Sequence, residues 1–415
     1  MPVERLLPTA EAEALLELVR DIATEQLAPR ASETEAAAEF PRDVFKLLGQ
    51  TGLMSLPFDE HDGGGGQPYE VYLQVLEEIA TAWMSVAVDV SVHTLSSSAM
   101  ARFGTAEQRE KWLPGMLGGD QLGAYALSEP QAGSDVSAIS TKAVRDGDEY
   151  VVNGTKAWIS HGPHADFFLL FARTSPDPKS GLSAFHVPLG TGEQSPLGTG
   201  EQSPLGTGEQ SPLGTGEQSP AGAPGVSFGA PEKKMGMTAS TTTQVIFEDV
   251  RLPVELRLGE EGQGMSIALS ALDSGRLGIA ACSTGLGQAA LDLAAGYATQ
   301  RKQFGRPIAE FQGLQFVLAD MAAAVEAARS TYLNAARLRD AGRPFSRQAS
   351  IAKLVATDAA MKVTTDAVQV LGGYGYTRDF PAERYMREAK VTQIFEGTNQ
   401  IQRMVIARDL LRAAQ

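Results

Sequence analysis

The sequence predicts a mainly α-helical protein with a central β domain. It divides into an N-terminal helical domain over 1–121, a small middle β domain over 122–252 and a C-terminal helical bundle over 253–415. Three observations predict this. Apolar residues recur at helical spacing up to about Gln121. From Leu122 to Pro253 the pattern changes to short apolar runs separated by the turn formers Gly, Asp and Asn. Beyond Pro253 come three long helical stretches with few breaks, as in a bundle.

The elements follow in order. Leu15, Leu16, Val19, Ile22 and Ala23 share one helical face, and Pro29 is expected to close that element. A second helix starts near Pro41, and Val71, Tyr72, Val75, Leu76 and Ile79 mark a third. Residues 82–100 are apolar enough to be largely buried. Strands are expected at 124–127, 150–152, 167–171, 182–187 and 244–250, and long helices around 265–299, 311–341 and 346–371.

Within the β segment, 188–219 is the octapeptide Pro-Leu-Gly-Thr-Gly-Glu-Gln-Ser repeated four times. With one Pro and two Gly in every copy, it cannot bury enough surface to offset the entropy of ordering. A solenoid needs more apolar content. The expectation is a mobile loop between two strands, with a partner-docking arm as the alternative; loop closure cost grows slowly with length. Deleting three copies should leave turnover and thermal stability nearly unchanged, and a large loss of either would favour the docking arm.

The 415 residues are 43% hydrophobic, enough for two or three domains with substantial cores. A net charge of −15 opposes binding to a phosphate backbone, so no nucleic-acid partner is expected. Cys282 is the only cysteine, which excludes an intrachain disulfide and suits a reducing, cytoplasmic setting. Glu4, Glu11, Glu13 and Glu17 stand where a signal peptide would be basic and then apolar. No apolar run approaches the ~20 residues of a membrane span. The five histidines show no metal-site spacing, so no metal is expected.

The chemistry concentrates near the end, in Ile394-Phe395-Glu396-Gly397-Thr398-Asn399-Gln400-Ile401-Gln402-Arg403. Helical spacing ends near Ile394 and resumes at Asn399, so Glu396 projects from a connection. Gly397 lets a ligand approach the backbone closely, and a carboxylate beside free N–H donors suits enolate chemistry. The alternative is a negative charge that merely favours the following helix N-terminus. Upstream, Tyr125-Ala126-Leu127-Ser128-Glu129-Pro130-Gln131-Ala132-Gly133-Ser134-Asp135 begins as a strand and ends in a turn that offers amides and hydroxyls. Gly154-Thr155-Lys156-Ala157-Trp158-Ile159-Ser160 supplies an indole in a β setting, where core packing is the alternative to a cofactor platform.

Together these segments resemble the acyl-CoA dehydrogenase family, FAD-dependent flavoproteins that oxidise acyl-CoA thioesters. The likeness also runs through Arg301-Lys302-Gln303-Phe304-Gly305, Gln312 and 369–373, and covers nearly all the chain outside the repeats. It implies that Tyr125, Ala126, Leu127, Ser128, Gly133, Ser134, Trp158, Ile159 and Ser160 cover the isoalloxazine ring. Arg301, Gln312, Gln369, Leu371, Gly372 and Gly373 would reach the FAD of a neighbouring subunit, Phe304 would also contact the cofactor, and Thr398 and Gln400 would contact its adenosine diphosphate; the family fold further implies a β-barrel-like middle domain and a C-terminal four-helix bundle. A homodimer pairing into a homotetramer follows from that resemblance, with electron-transferring flavoprotein as electron acceptor. The nearest Gly-x-Gly pattern, at Gly285 and Gly287, lies in a helical stretch and is read as a packing face.

The resemblance further implies α,β-dehydrogenation, in which Glu396 removes the α proton while the β hydrogen leaves as hydride to FAD, giving the trans-2-enoyl-CoA. Some relatives carry the base just before the arginine matching Arg276, but here that residue is Gly275. Asp273-Ser274-Gly275-Arg276 resembles the short-chain and short-branched branch; Ser134, Asp273, Arg276, Phe395 and Gly397 are the implied substrate contacts. A helical ion pair between Asp273 and Arg276 is the alternative. His161 replaces the Asn of many relatives and is expected to be a surface or loop residue, with flavin tuning as the alternative. Rival activities are an acyl-CoA oxidase using O2, or a non-catalytic flavin- or nucleic-acid-binding relative.

Overall fold

In the computed structural model, which describes residues 3–178, 180–189 and 223–414, the Thr9 hydroxyl accepts from the Ala12 amide and starts α1 (Ala10–Ile22). The repeats beyond Leu189, and with them the loop expectation, lie outside the described residues. The helix does not stop at Pro29. A π-helical turn, Ala23–Leu27, leads directly into α2 (Ala28–Ala37), whose first turn holds Pro29. A proline is tolerated there because the first-turn N–H groups have no intrahelical acceptor, which corrects the expected end of the element.

Next come α3 (Arg42–Gln50), α4 (Tyr69–Ala82), α5 (Met84–Phe103) and α6 (Ala106–Leu117). The α4 N-terminus is capped from far along the chain, because Tyr69 and Glu70 amides donate to the Asp340 carboxylate at 2.9 and 3.1 Å. As its apolar sequence predicts, α5 is buried on almost every face.

The middle segment forms β1 (Gly123–Ala126), β2 (Lys142–Asp146), β3 (Glu149–Ser160), β4 (Phe167–Arg173), β5 (Leu182–Pro188), β6 (Val226–Phe228), β7 (Thr242–Pro253) and β8 (Arg257–Leu258). The sheet runs β6-β7-β3-β2-β4-β5-β8, and β1 lies parallel on β4. Both faces of β4 and β5 are covered, which accounts for their unbroken apolar runs. The β3–β7 register slips twice, and the second slip, between Lys156 and Ile159, carries Trp158.

The bundle begins with α7 (Gly264–Gln300), whose 37 residues span about 55 Å. A hairpin, β9 (Lys302–Gln303) and β10 (Arg306–Pro307), leads to α8 (Gln312–Asp340), α9 (Ser346–Leu371), the short α10 (Gly373–Tyr376), α11 (Ala382–Thr392) and α12 (Asn399–Ala413). Helices α7, α8 and α9 pack together, and α11 and α12 lie against α9. Because α4 and α5 also pack on α7, one apolar core runs from the N-terminal helices into the bundle. Gly285 sits inside α7, where a Cβ would strike the Glu77 carbonyl, so the Gly-x-Gly pattern serves helix packing. Among the described residues no helix is long and apolar enough to cross a membrane.

Candidate active site

Glu396 lies in the break between α11 and α12 with φ +51°, followed by Gly397 at +87°. A left-handed glutamate is held against its own preference, at a cost on the order of 1–2 kcal/mol, so its neighbours must define it. Lys353 of α9 does so from beneath: buried Nζ donates to the Gly397 carbonyl (3.0 Å) and to Asn399 Oδ1 (2.9 Å). Gln402 Nε2 donates to the same carbonyl at 2.9 Å, and Thr398 caps α12 through the Ile401 amide. Among the described residues nothing accepts a hydrogen bond from the Glu396 or Gly397 amide. The loop therefore presents a carboxylate together with two unused donors.

The Glu396 carboxylate rests on α7. A Cβ on Gly275 would overlap Oε2, which is sealed from solvent and has no hydrogen-bond partner among the described residues. Burial lifts the carboxyl to about 7, against the pull of Lys353 and Arg276. It thus ionises near neutrality, where a general base works best. The same burial lowers Lys353 to about 8, against the pull of Glu396. Gly275→Ala should push the carboxylate aside and slow substrate-driven reduction about 10- to 100-fold, with the overpacking costing about 1–3 kcal/mol of stability. Single-turnover rates beside thermal melts check this; an unchanged rate would show that the carboxylate can move at no cost.

Beside Gly275 opens a cavity of about 190 Å³, lined inside by Tyr69, Ser91, Thr94, Leu95 and Ser274 and rimmed by Asp59, Asp62, Arg102 and Arg339. The Tyr69 hydroxyl donates to the Ser274 carbonyl (3.0 Å), and the Arg339 guanidinium lies 3.7 Å from its ring centre. The wall is therefore rigid. For scale, a cavity of ~150 Å³ admits benzene.

A second surface joins the ends of β1 and β3. Ala157 donates to the Ser128 carbonyl (2.9 Å), and buried Lys156 reaches both the Leu127 carbonyl (3.1 Å) and Glu129 Oε1 (2.8 Å). Burial pushes the Glu129 carboxyl up, but Lys156 and donors from Thr141 and Ser140 hold it down at about 2. This pair fixes the turn that carries Gly133 and Ser134, both exposed. Trp158 stands out from the bulge, 63% exposed at φ +63°, so it is no core tryptophan. Tyr125 connects this surface to α7 by donating to the Ala268 carbonyl, and the Glu396 and Arg276 charges both reach it.

An exposed indole on a strained bulge, together with the Glu396 carboxylate that rests on α7 and the free amides of its loop, fits a planar ring bearing polar edges, as FAD does. The side chains of Ala126, Leu127 and Ile159 point into the core, which leaves only their main chain for a ligand. Arg276 is buried and pairs with Asp273 Oδ1 at 2.6 Å, so the helical ion pair does form. Among the described residues its Nε has no hydrogen-bond partner. Phe395 packs partly into the core beneath the loop, while Gln400 is exposed.

Arg301, Phe304, Gln312, Gln369, Gly372 and Gly373 gather at the other end of the bundle, all exposed, whereas Leu371 is buried. Phe304, 94% exposed at φ +52°, tips the hairpin. Beside it Tyr297, Tyr374 and Phe380 meet edge to face around an open groove of about 630 Å³. Along α7 this end is about 39 Å from Gly275, so one chain's two groups cannot close on one ligand atom.

The structure corrects one reading outright: His161 is fully buried, not a surface residue. Its sequence context, Ser160-His161-Gly162-Pro163, looks like an exposed turn, but its partners come from distant elements. Lys353, Gln402 and Asp340 were missed for the same reason, since only the fold brings them to the loop or to α4.

Family profiles match three segments of the chain: acyl-CoA dehydrogenase N-terminal domain over 9–120, middle domain over 124–209 and C-terminal domain over 262–411. The short-chain specific acyl-CoA dehydrogenase of Clostridium acetobutylicum is 40% identical, over 97% of this chain and 99% of that protein. The solved structure of butyryl-CoA dehydrogenase from Megasphaera elsdenii superposes with a TM-score of 0.88 at 37% identity, covering 98% of this chain and all of that one. A chain solved in work on the electron transferring flavoprotein of Acidaminococcus fermentans and flavin-based electron bifurcation gives 0.89 at 39% identity, covering 99% of this chain and 100% of its own.

Proposed function

The chain belongs to the acyl-CoA dehydrogenase family, and from that premise we propose that it oxidises a short, C4 to C6 or short-branched, acyl-CoA to the trans-2-enoyl-CoA with Glu396 as base. The observation that carries the reading is the Glu396 carboxyl, lifted by burial to about 7, beside unused amides and a small cavity. When bound, FAD supplies the two-electron acceptor for the β hydrogen. The chain's own part is to bind, orient and deprotonate. Glu396 breaks the Cα–H bond and keeps the proton, and the electron pair becomes the new C=C bond as the β hydrogen leaves. A carboxyl at the ordinary ~4.3 would face a far weaker carbon acid, and each pH unit of mismatch costs about 1.4 kcal/mol; burial, which lifts Glu396 to about 7, narrows that gap. The Glu396 amide would donate to the thioester oxygen and stabilise the developing enolate.

The cavity of about 190 Å³ compares with the ~150 Å³ that holds six carbons of benzene, which favours a short chain. Trp158, Tyr125 and the amides of the β1 turn would hold the ring, with Thr398 and Gln400 on the diphosphate side. The exposed group at Arg301 and Phe304 would serve the FAD of a second copy, making the active unit at least a homodimer. Electron-transferring flavoprotein would take the electrons onward. Purified protein given butyryl-CoA and that flavoprotein should form the conjugated enoyl thioester. Fast peroxide formation without the flavoprotein would instead assign the acceptor role to O2.

A further inference from the structure

The break at 394–398 that carries Glu396 is closed at its foot by one carboxylate from another helix. Asp358 of α9 offers a single oxygen, Oδ1, to both ends of the break. Gln393 Nε2, at the end of α11, donates to it at 2.7 Å, and Asn399 Nδ2, at the start of α12, donates at 2.8 Å. A carboxylate oxygen has two lone pairs, so it accepts both bonds without conflict. The Asn399 main-chain N–H also donates to the Gln393 carbonyl at 3.0 Å, so the chain leaves and returns at nearly the same point.

Both side-chain amides are oriented for this role by a lysine on their oxygen. Lys390 Nζ donates to Gln393 Oε1 at 2.9 Å, and Lys353 Nζ donates to Asn399 Oδ1 at 2.9 Å, which leaves each amide nitrogen for Asp358. Asn399 is buried, and its Nδ2 also lies 2.9 Å from Thr357 Oγ1. Lys353, Thr357 and Asp358 fall within two turns of α9, so one stretch of helix holds both ends of the break. On the outer side, Asp358 Oδ2 accepts from an Arg403 guanidinium N–H at 3.1 Å. Both side chains of that pair are about half exposed, and such an ion pair contributes little. What Asp358 gives the loop is therefore the two bonds to Oδ1.

We propose that Asp358 is a positioning residue: by clasping Gln393 and Asn399 on one oxygen it holds the break shut and keeps the Glu396 carboxylate in place over Gly275. The proposal rests on the reading of Glu396 as the base. Asp358 acts on the reaction only through the two ends of the loop. Glu396 needs such a hold because its left-handed backbone is unfavourable by itself and persists only where the surroundings over-determine it. Lys353 and Gln402 grip the middle of the break at the Gly397 carbonyl, and Asp358 grips its ends. Without the clasp the two amides would turn to water, and the loop would sample positions in which the carboxylate is misplaced.

Asp358→Ala in the FAD-loaded protein tests this, since alanine suits a helix interior and leaves α9 intact. Deuterium exchange of the main chain over 393–399, read by mass spectrometry, should quicken about tenfold. The limiting rate of flavin reduction by butyryl-CoA should fall about tenfold, while the half-saturating butyryl-CoA concentration stays within about twofold. Asp358→Asn should recover most of that rate, because its carbonyl oxygen still accepts from both amides and only the exposed Arg403 pair is lost. Gln393→Ala should slow reduction in the parent protein but add little in the Asp358→Ala background, as two halves of one clasp do. Unchanged exchange in Asp358→Ala overturns the clasp. Faster exchange with an unchanged reduction rate overturns its part in positioning, and so does an Asp358→Asn variant as slow as Asp358→Ala. A normal rate in Glu396→Gln would instead sink the reading of Glu396 as the base, and loop exchange in Asp358→Ala would still decide the clasp.

Discussion

Glu396→Gln should bind FAD and acyl-CoA normally yet lose on the order of 10⁴-fold in the rate of flavin reduction, the upper range for removing a general base. Glutamine fits the space above Gly275 and keeps the loop's main chain, including the amide available to a thioester oxygen. Only basicity is lost. The stability effect has a definite sign. A carboxyl raised to about 7 from ~4.3 in the unfolded chain favours folding below the lower value and loses that contribution as pH rises through the higher one. The variant should therefore melt no lower than the wild type above neutral pH. Stopped-flow reduction with calorimetry checks both points, and near-normal reduction would place the base elsewhere.

Lys353→Met should combine a stability loss with a displaced pH profile. Removing Nζ takes a charged donor from the Gly397 carbonyl and from Asn399 Oδ1, which keep only Gln402 Nε2 and the Thr357 hydroxyl, and losing a hydrogen bond to a charged group costs about 1.5–3 kcal/mol. The slackened loop should slow reduction about 100-fold, as a small misplacement of a reacting group does. Lys353 also pulls Glu396 downward, so its removal raises that carboxyl further. In the wild type the rate for the free enzyme should rise with pH through about 7, because the ionised base is the active form. In the variant that limb should move to higher pH. A melting loss with an unmoved limb would leave Lys353 a structural role alone.

Much of this architecture was legible because long elements repeat their signal. The bundle helices α7, α8 and α9 fall within a residue or two of their apolar periodicity, and β4 and β5 announce themselves as unbroken apolar runs. Strand β2 was not foreseen, because Lys142-Ala143-Val144-Arg145-Asp146 buries only Ala143 and so lacks a clear alternating face. Pro29 misled because a π-helical turn let the chain continue through a residue that normally stops it. At the site, the Glu396 break carries a local signature of glycine between two periodic stretches. Its electrostatic setting does not, since Lys353, Gly275 and Arg276 meet Glu396 only through packing of α7 and α9. His161 shows the same limit in the other direction: a polar turn sequence became a buried side chain held against the Gly123 carbonyl.

The most direct test of the central claim is anaerobic mixing of the purified protein with butyryl-, isobutyryl-, 2-methylbutyryl-, octanoyl- and palmitoyl-CoA while the visible flavin absorbance is followed. Rapid bleaching by the short or short-branched thioesters, and little by palmitoyl-CoA, is the predicted result. Yellow flavin that none of these thioesters bleaches would contradict the assignment of Glu396 and its cavity to acyl-CoA oxidation.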